Sequence, residues 1–413
     1  MALALRFSRR FWLGLAGAVG AVVVFLAVSG PEATGEPRIA ECGDCRIVGV
    51  RFAGYRSVPI LGDLWPSTPG PDGQLFFAFG DGSGMTECLP VEGLDWWPPP
   101  RIADVPRLTV TEAYGGPNED FCGVFDCAEA RRYPLCPYTR TGVVALRGRL
   151  PDLRLCDGTD QCLISRHLPT GREEDGRDVK PSSMIFAGGA LVMHLHEPSA
   201  RPRHGFLAVS RDRGRSWREI DGTPWGRNTP FRVITFLQDA RGAGQYVYGY
   251  GIRDEIDVDD MHLQEVFLAR VESGRILDHG AWRYFAGLDG QGRPRWVESP
   301  GTARPLPGLA TMIQGGALYH RGIGRYLFFS GFTGFAPARE IGVTDRSGPS
   351  EAGSLFESPT PWGPWARVGQ FPGGYIGAMI AADDRGARLW FTAAGNTVSY
   401  NLHIGRLDLQ LRR

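Results

Sequence analysis

Charge of either sign is not in excess in this chain, where 45 Lys and Arg face 45 Asp and Glu across 413 residues. A polyanion is held by a net basic field, so nucleic acid is excluded as the expected partner. Cysteine is absent beyond residue 162, and all eight, at 42, 45, 88, 122, 127, 136, 156 and 162, fall before that point. A second Cys-x-x-Cys pair to match Cys42 and Cys45 is missing, and the spacing of Cys122 and Cys127 is irregular for a zinc site. Disulfides are therefore the first reading and zinc the alternative, with connectivity left open. No glycine loop that would cradle phosphate, no nucleotide fingerprint and no Ser-His-Asp order is present, so no obligate organic cofactor is expected. Helical periodicity is almost absent after the N-terminal apolar run.

What remains is a chain of strands and turns. Gly at 57 and Pro at 31 are high, and 43% hydrophobic with 11% aromatic residues supplies a sizeable core for one large or two modest domains. At the N-terminus Arg6, Arg9 and Arg10 precede an apolar stretch from Phe11 to Val28. Residues 1–30 therefore read as a signal peptide or an uncleaved membrane anchor, residues 31–41 as a linker, and an exported location follows: periplasmic, extracellular or anchored at the outer face of the cytoplasmic membrane.

The stretch from Gly62 to Gly84 organises the rest. Leu75 to Phe79 is a short apolar strand entered through the turn at Asp72 and Gly73. Asp63 lies on the incoming segment, and Asp81 lies at the strand's exit between Gly80 and Gly82, where the backbone bends freely. Similar units recur. Apolar strands run through Gly73–Phe79, Gly189–Leu195, Gly244–Tyr250, Gly324–Ser330 and Gly386–Thr392, with partner strands at Val143–Leu146, Gly205–Val209, Val266–Arg270, Gly353–Phe356 and Asn401–Ile404. Strand pairs repeated in this way predict an all-β, five-bladed β-propeller over residues 42–413, with a Cys-rich insertion in 85–162 that runs to the end of the first blade. A β-sandwich is the alternative, but it does not demand that the unit recur to the last residues.

Ser210, Asp212, Gly214, Ser216 and Trp217 match the Asp-box of sialidases and other propeller glycosidases. In that motif the carboxylate accepts backbone hydrogen bonds of a tight turn, so Asp212 reads as structural. A second resemblance covers most of the chain. It is carried by Asp63-Leu-Trp65-Pro66, Gly80-Asp81-Gly82, Lys180-Pro181-Ser182, Trp282 to Gly287, Gly324-Arg325-Tyr326-Leu327 and Glu357 to Trp365. The chain thereby resembles a bacterial five-bladed propeller family that includes endo-D-arabinanases and is more distantly similar to the arabinanase and xylosidase propellers. It departs from that family in the Cys-rich insertion and in Pro69-Gly70-Pro71.

The resemblance implies a glycoside hydrolase acting on a cell-wall or extracellular polysaccharide such as arabinan, through carboxylates from different blades. Hydrolysis of this kind needs two carboxylates across the scissile bond. Asp63 is the first choice for base or nucleophile and Asp81 the second, with Asp239, Asp254 and Glu340 as acid candidates. Lys180 would fix a carboxylate or a sugar hydroxyl, and Trp65 and Trp96-Trp97 would stack on sugar faces. His194 and His196 share one strand face, the minimum for a metal pair, but without an evident third ligand they read as cavity-lining or packed. The acidic run from Arg253 to Asp260 offers oxygens for a calcium ion but lacks EF-hand spacing, which favours a solvated loop. The rival reading is a non-catalytic carbohydrate-binding or cell-surface interaction module.

Overall fold

The computed structural model describes residues 45–80, 141–155, 165–167, 179–196, 204–220, 222, 225–226, 229–239, 244–253, 264–311, 314–330, 352–372, 375–382, 385–394 and 401–412. The first compact unit of the chain, Met1–Glu36, falls outside them. So do Asp81, Asp254, Glu340, Trp96-Trp97, the acidic run beyond Arg253 and every cysteine but Cys45. Cys45 is disulfide-bonded. Among the described residues no helix is long and apolar enough to cross a membrane.

The described residues are all-β apart from three single-turn 3₁₀ segments. β1 (Arg46–Leu61) is followed by five antiparallel meanders in chain order. The first is β2 (Ser67–Pro69), β3 (Leu75–Phe79), β4 (Gly142–Arg149) and β5 (Asp152–Leu155), with β6 (Ser165–His167) also on β4. The second is β7 (Lys180–Ala187), β8 (Ala190–His196), β9 (Gly205–Ser210) and β10 (Arg218–Glu219). The third is β11 (Val233–Gln238), β12 (Tyr246–Ile252), β13 (Gln264–Glu272), β14 (Arg283–Leu288) and β15 (Pro294–Val297), with β16 (Pro305–Thr311) beside β13. The fourth is β17 (Gly316–His320), β18 (Arg325–Ser330), β19 (Ala352–Ser358) and β20 (Ala366–Pro372). The fifth is β21 (Tyr375–Ile380), β22 (Arg388–Ala394) and β23 (Asn401–Arg412), completed by β1, which pairs with β23 from Arg46↔Arg412 to Leu61↔Asn401.

Both faces of the middle strands are apolar because each faces a different neighbour. Along β8, Ala190 and Val192 join a core shared with the third meander, whereas Leu191, Met193 and Leu195 join one shared with the first. β22 divides the same way, with Leu389, Phe391 and Ala393 toward the fourth meander and Trp390 and Ala394 toward the first. A strand's period of two thus serves two cores at once, which is why these strands read as continuous apolar runs. Five apolar clusters result, each at a junction of consecutive meanders: first with second, second with third, third with fourth, fourth with fifth, and fifth with first. The first strands β2, β7, β11, β17 and β21 likewise touch in that cyclic order, and β21 returns to β2.

Short side chains let these first strands approach. Thr68 Oγ1 accepts from Phe186 N at 3.2 Å, Ser183 Oγ from Phe236 N at 2.8 Å, and Thr235 Oγ1 from Gly315 N at 3.2 Å. At Gly316 a Cβ would stand 2.1 Å from Met379 N and 2.8 Å from Ala378 C, both backbone atoms of β21 that have no room to yield. Gly316→Ala is therefore expected to cost roughly 2–4 kcal/mol of unfolding free energy. Gly244→Ala, where nothing lies within 4 Å, should stay within about 0.5 kcal/mol. Urea titrations of both variants check this, and equal midpoints would contradict the close approach.

The turn after β9 forms as its residues demand. Asp212 Oδ1 accepts from Ser210 Oγ at 2.8 Å and from Ser216 N at 2.8 Å, and Oδ2 accepts from Ser216 Oγ at 2.5 Å. Arg213 and Gly214 turn left-handed, at φ 62° and 85°, and Trp217 Nε1 closes the loop on Gly214 O at 3.1 Å. Desolvation pushes the Asp212 carboxyl up, but the Ser216 and Ser210 hydrogen bonds outweigh it and hold the pKa below the usual 3.8. Because the folded pKa is the lower one, this contribution is present above pH 3.8 and is lost as pH falls through the folded value. Asp212→Ala should lose about 1–2 kcal/mol at neutral pH, and this loss should shrink as pH falls from 3.8 through the lower folded value. A deficit that persists unchanged in acid would contradict the account.

Candidate functional site

The polar residues gather at one end of the first strands. Asp63 is 2% exposed and is clamped by its backbone, with Asp63 N donating to Gly80 O at 2.8 Å and Gly80 N returning to Asp63 O at 3.0 Å. The next two residues, Leu64 and Trp65, are left-handed at φ 71° and 43°. Each costs on the order of 1–2 kcal/mol for a residue with a Cβ, and such strain persists only where packing over-determines it. Packing does so here: Trp65 is fully buried between the fifth and first meanders, its Nε1 bonded to Gly62 O at 2.9 Å and its carbonyl to Thr392 Oγ1 at 2.8 Å. The Asp63 carboxylate lies over Gly80, where a Cβ would stand 2.6 Å from Oδ1.

From Asp63 the site extends across meanders through a traceable chain of neighbours. Gly142 pairs with Phe79, and the adjacent Thr141 hydroxyl donates to Val179 O, next to Lys180. Lys180 opens β7 at 7% exposure, opposite His196, which in turn pairs with Gly205. Gly205 makes room for the carbonyl of Arg232, since a Cβ there would be 2.3 Å from it. Arg232, the residue before β11, is 1% exposed. From the fourth meander, buried Gln314 reaches over to donate its Nε2 to Pro181 O at 3.1 Å. Asp63, Lys180 and Arg232 thus each lie just before, or at the start of, the first strand of a different meander, all three buried.

Beneath this end sits a histidine pair. Ser182 Oγ lies 3.1 Å from His194 Nδ1 and 2.6 Å from His196 Nδ1. A hydroxyl has a single hydrogen to donate and two lone pairs with which to accept, so at least one of the two rings carries Nδ1–H. His194 is wholly buried against Trp225, at 5.3 Å between rings, and beyond Trp225 lies His279 at 5.5 Å. Burial first, then His196 and His279, hold His194 well below its usual 6.5. Among the described residues no group of three or more His, Cys, Asp or Glu could hold a metal ion.

Several sequence expectations change at this point. Trp65 has no exposed face and is a packing residue, so it offers no platform to a sugar. His194 is sealed in the junction of the second and third meanders, and contact with a substrate would have to pass through other groups. Asp239 follows the last residue of β11 and is bonded by both oxygens to Arg321, at 2.5 and 2.6 Å. Six strand residues separate it from Arg232, about 20 Å along the strand, so it lies at the other end from Asp63. The reason is an unseen strand. The repeat visible in sequence is the second and third strand of each meander, so a residue just before that repeat follows the first strand and does not precede it. Arg232 and Gln314 were missed for the same cause, because each precedes a first strand that has no repeat signature.

No family model and no curated protein matches this chain. Similar solved structures include an arabinoxylan arabinofuranohydrolase of glycoside hydrolase family 43 from Bacillus subtilis, 10% identical, with a TM-score of 0.42 and coverage of 85% of this chain and 63% of that one. A family 32 β-fructofuranosidase of Bombyx mori is 12% identical, with a TM-score of 0.42, over 88% of this chain and 65% of that one. A mutant sialidase of Trypanosoma rangeli is 13% identical, with a TM-score of 0.36, over 85% of this chain and 44% of that one. The chain thus spans less than two thirds of each of these three proteins, which is as far as likeness to known proteins takes it.

Proposed function

We propose that the five meanders are the blades of a five-bladed β-propeller and that the protein is an exported glycoside hydrolase acting on a wall or extracellular polysaccharide, arabinan being the first to test. The observation that carries the reading is Asp63: a buried carboxylate held by two left-handed residues, at the end of the first strands where Lys180 and Arg232 are also buried. A carboxylate so placed can take a proton from water or attack an anomeric carbon, and cations at the same end can bind hydroxyls. The second carboxylate would come from Asp81 or Asp254. The disulfide at Cys45 supports an oxidising compartment, and the basic and apolar N-terminal segment supports export with or without membrane retention. A calcium ion at the acidic run from Arg253 remains part of the proposal.

The experiment is release of reducing ends from arabinan and other wall polysaccharides by the purified full chain, with Asp63→Asn beside it. Product from the wild type alone supports the reading. Equal product from both removes Asp63 from the chemistry. Binding without product from either favours the carbohydrate-binding module.

A further inference from the structure

At the opposite end, between the third and fourth meanders, aromatic side chains emerge from the core toward solvent. Tyr246, Tyr248 and Tyr250 alternate along β12 and share one face. Tyr250 is sealed at 2% exposure, 5.5 Å from the Phe328 ring, whereas Tyr248 and Tyr246 are partly open. Across the junction Tyr326 is also partly open and packs on Tyr319 at 4.8 Å.

Two polar features frame this stripe. The Arg270 guanidinium is held between the rings of Tyr246, at 4.4 Å, and Trp296, at 4.1 Å. The Asp239–Arg321 pair, with Arg321 5.8 Å from the Tyr319 ring, stands on the other side.

We propose that this stripe, with Tyr248 and Tyr326 as its centre and Arg270 and the Asp239–Arg321 pair at its edges, is a second carbohydrate-binding surface that holds a neutral polysaccharide chain away from the Asp63 end. Ring faces accept the C–H side of a sugar, and planar guanidinium and carboxylate edges meet its hydroxyls. At one edge the Asp239–Arg321 pair carries no net charge, which suits a neutral ligand there. Burial raises the Tyr248 hydroxyl, and burial together with Tyr248, Tyr319 and Asp239 brings that of Tyr326 to about 12. The proposal rests on the glycan reading above for its ligand class, not for turnover.

The test is migration of the full chain through gels containing soluble arabinan or arabinoxylan, together with hydroxyl-radical footprinting of the wild type in each polysaccharide. Tyr248→Ala should weaken retention about tenfold and Tyr248→Phe should restore it, while Tyr246, Tyr248 and Tyr326 gain protection in the wild type. If Tyr248→Ala fails to fold, Tyr326→Ala and the wild-type footprint decide. Unchanged retention, unprotected tyrosines, or no retention of the wild type on either polysaccharide overturns the surface. Retention without hydrolysis overturns only the catalytic reading.

Discussion

For the hydrolase proposed above, Asp63→Asn is expected to lower the release of sugar from the polysaccharide by about 10²- to 10⁴-fold, the range that a positioned acid or base contributes. The exchange is isosteric, so the backbone clamp on Gly80 and the left-handed turn through Leu64 and Trp65 stay in place. Circular dichroism of the variant should match the wild type. A loss confined to turnover separates chemistry from folding, because binding groups such as Lys180 and Arg232 are untouched. Asp289→Asn is the control: its carboxylate closes an exposed turn on Gln291 N and Arg293 N, each at 2.9 Å, and turnover should be unaffected. An Asp63→Asn enzyme with wild-type turnover would leave its strained, buried carboxylate without a chemical role.

Trp225→Ala costs about 3–5 kcal/mol of unfolding free energy, a large share of the stability of a domain. Its ring is fully buried at the junction of the second and third meanders, edge-on to Trp282 at 5.2 Å, with Nε1 donating to the Tyr284 phenol Oη at 2.9 Å. Its backbone also bridges to Gly205, so the cavity opens between two meanders and each can relax only by moving from the other. Trp225→Phe, which keeps an aromatic ring and loses the Tyr284 hydrogen bond, should lose less.

The same ring seals His194, and that gives Trp225→Ala a second signature. Burial, His196 and His279 keep the His194 pKa well below its unfolded 6.5. The unfolded chain therefore binds more protons as pH falls below 6.5, and the wild type loses stability on acidification through that value. Removing Trp225 admits water beside His194, moves its pKa back toward 6.5 and flattens the dependence. Denaturation midpoints of wild type and variant between pH 7.5 and 5, with the histidine resonances as a direct check, test both parts. Parallel pH profiles would show that Trp225 does not control the proton affinity of His194.

Strand content, the alternation of apolar faces, the turn at Asp72 and Gly73, and the loop from Ser210 to Trp217 were legible because each is set within a few residues. β3 runs over Leu75–Phe79 as the sequence reading placed it. The repeat was legible too, but only through its second and third strands, whose two buried faces demand large apolar side chains. The first strands carry Ser67, Thr68, Ser183, Thr235 and Gly316 because they must approach one another closely, and small residues leave no hydrophobic signature. That omission put Asp239 at the wrong end and hid Arg232 and Gln314.

By itself, the amino-acid sequence determined that the chain would be β-structured, that strand pairs would recur to its last residues, and that Asp63 would sit beside a sharp bend. These follow from local sterics and from side-chain period. Only the tertiary structure decided which residues lie at the same end of the fold. That depends on the pairing of β1 with β23 and on the cyclic contact of first strands, which set Asp63, Lys180, Arg232 and Gln314 of four separate meanders at the starts of their first strands. Burial then decided between roles that residue type leaves open, making Trp65 and His194 packing groups and Asp63 a buried carboxylate, because exposure belongs to the packed assembly and not to any segment of it.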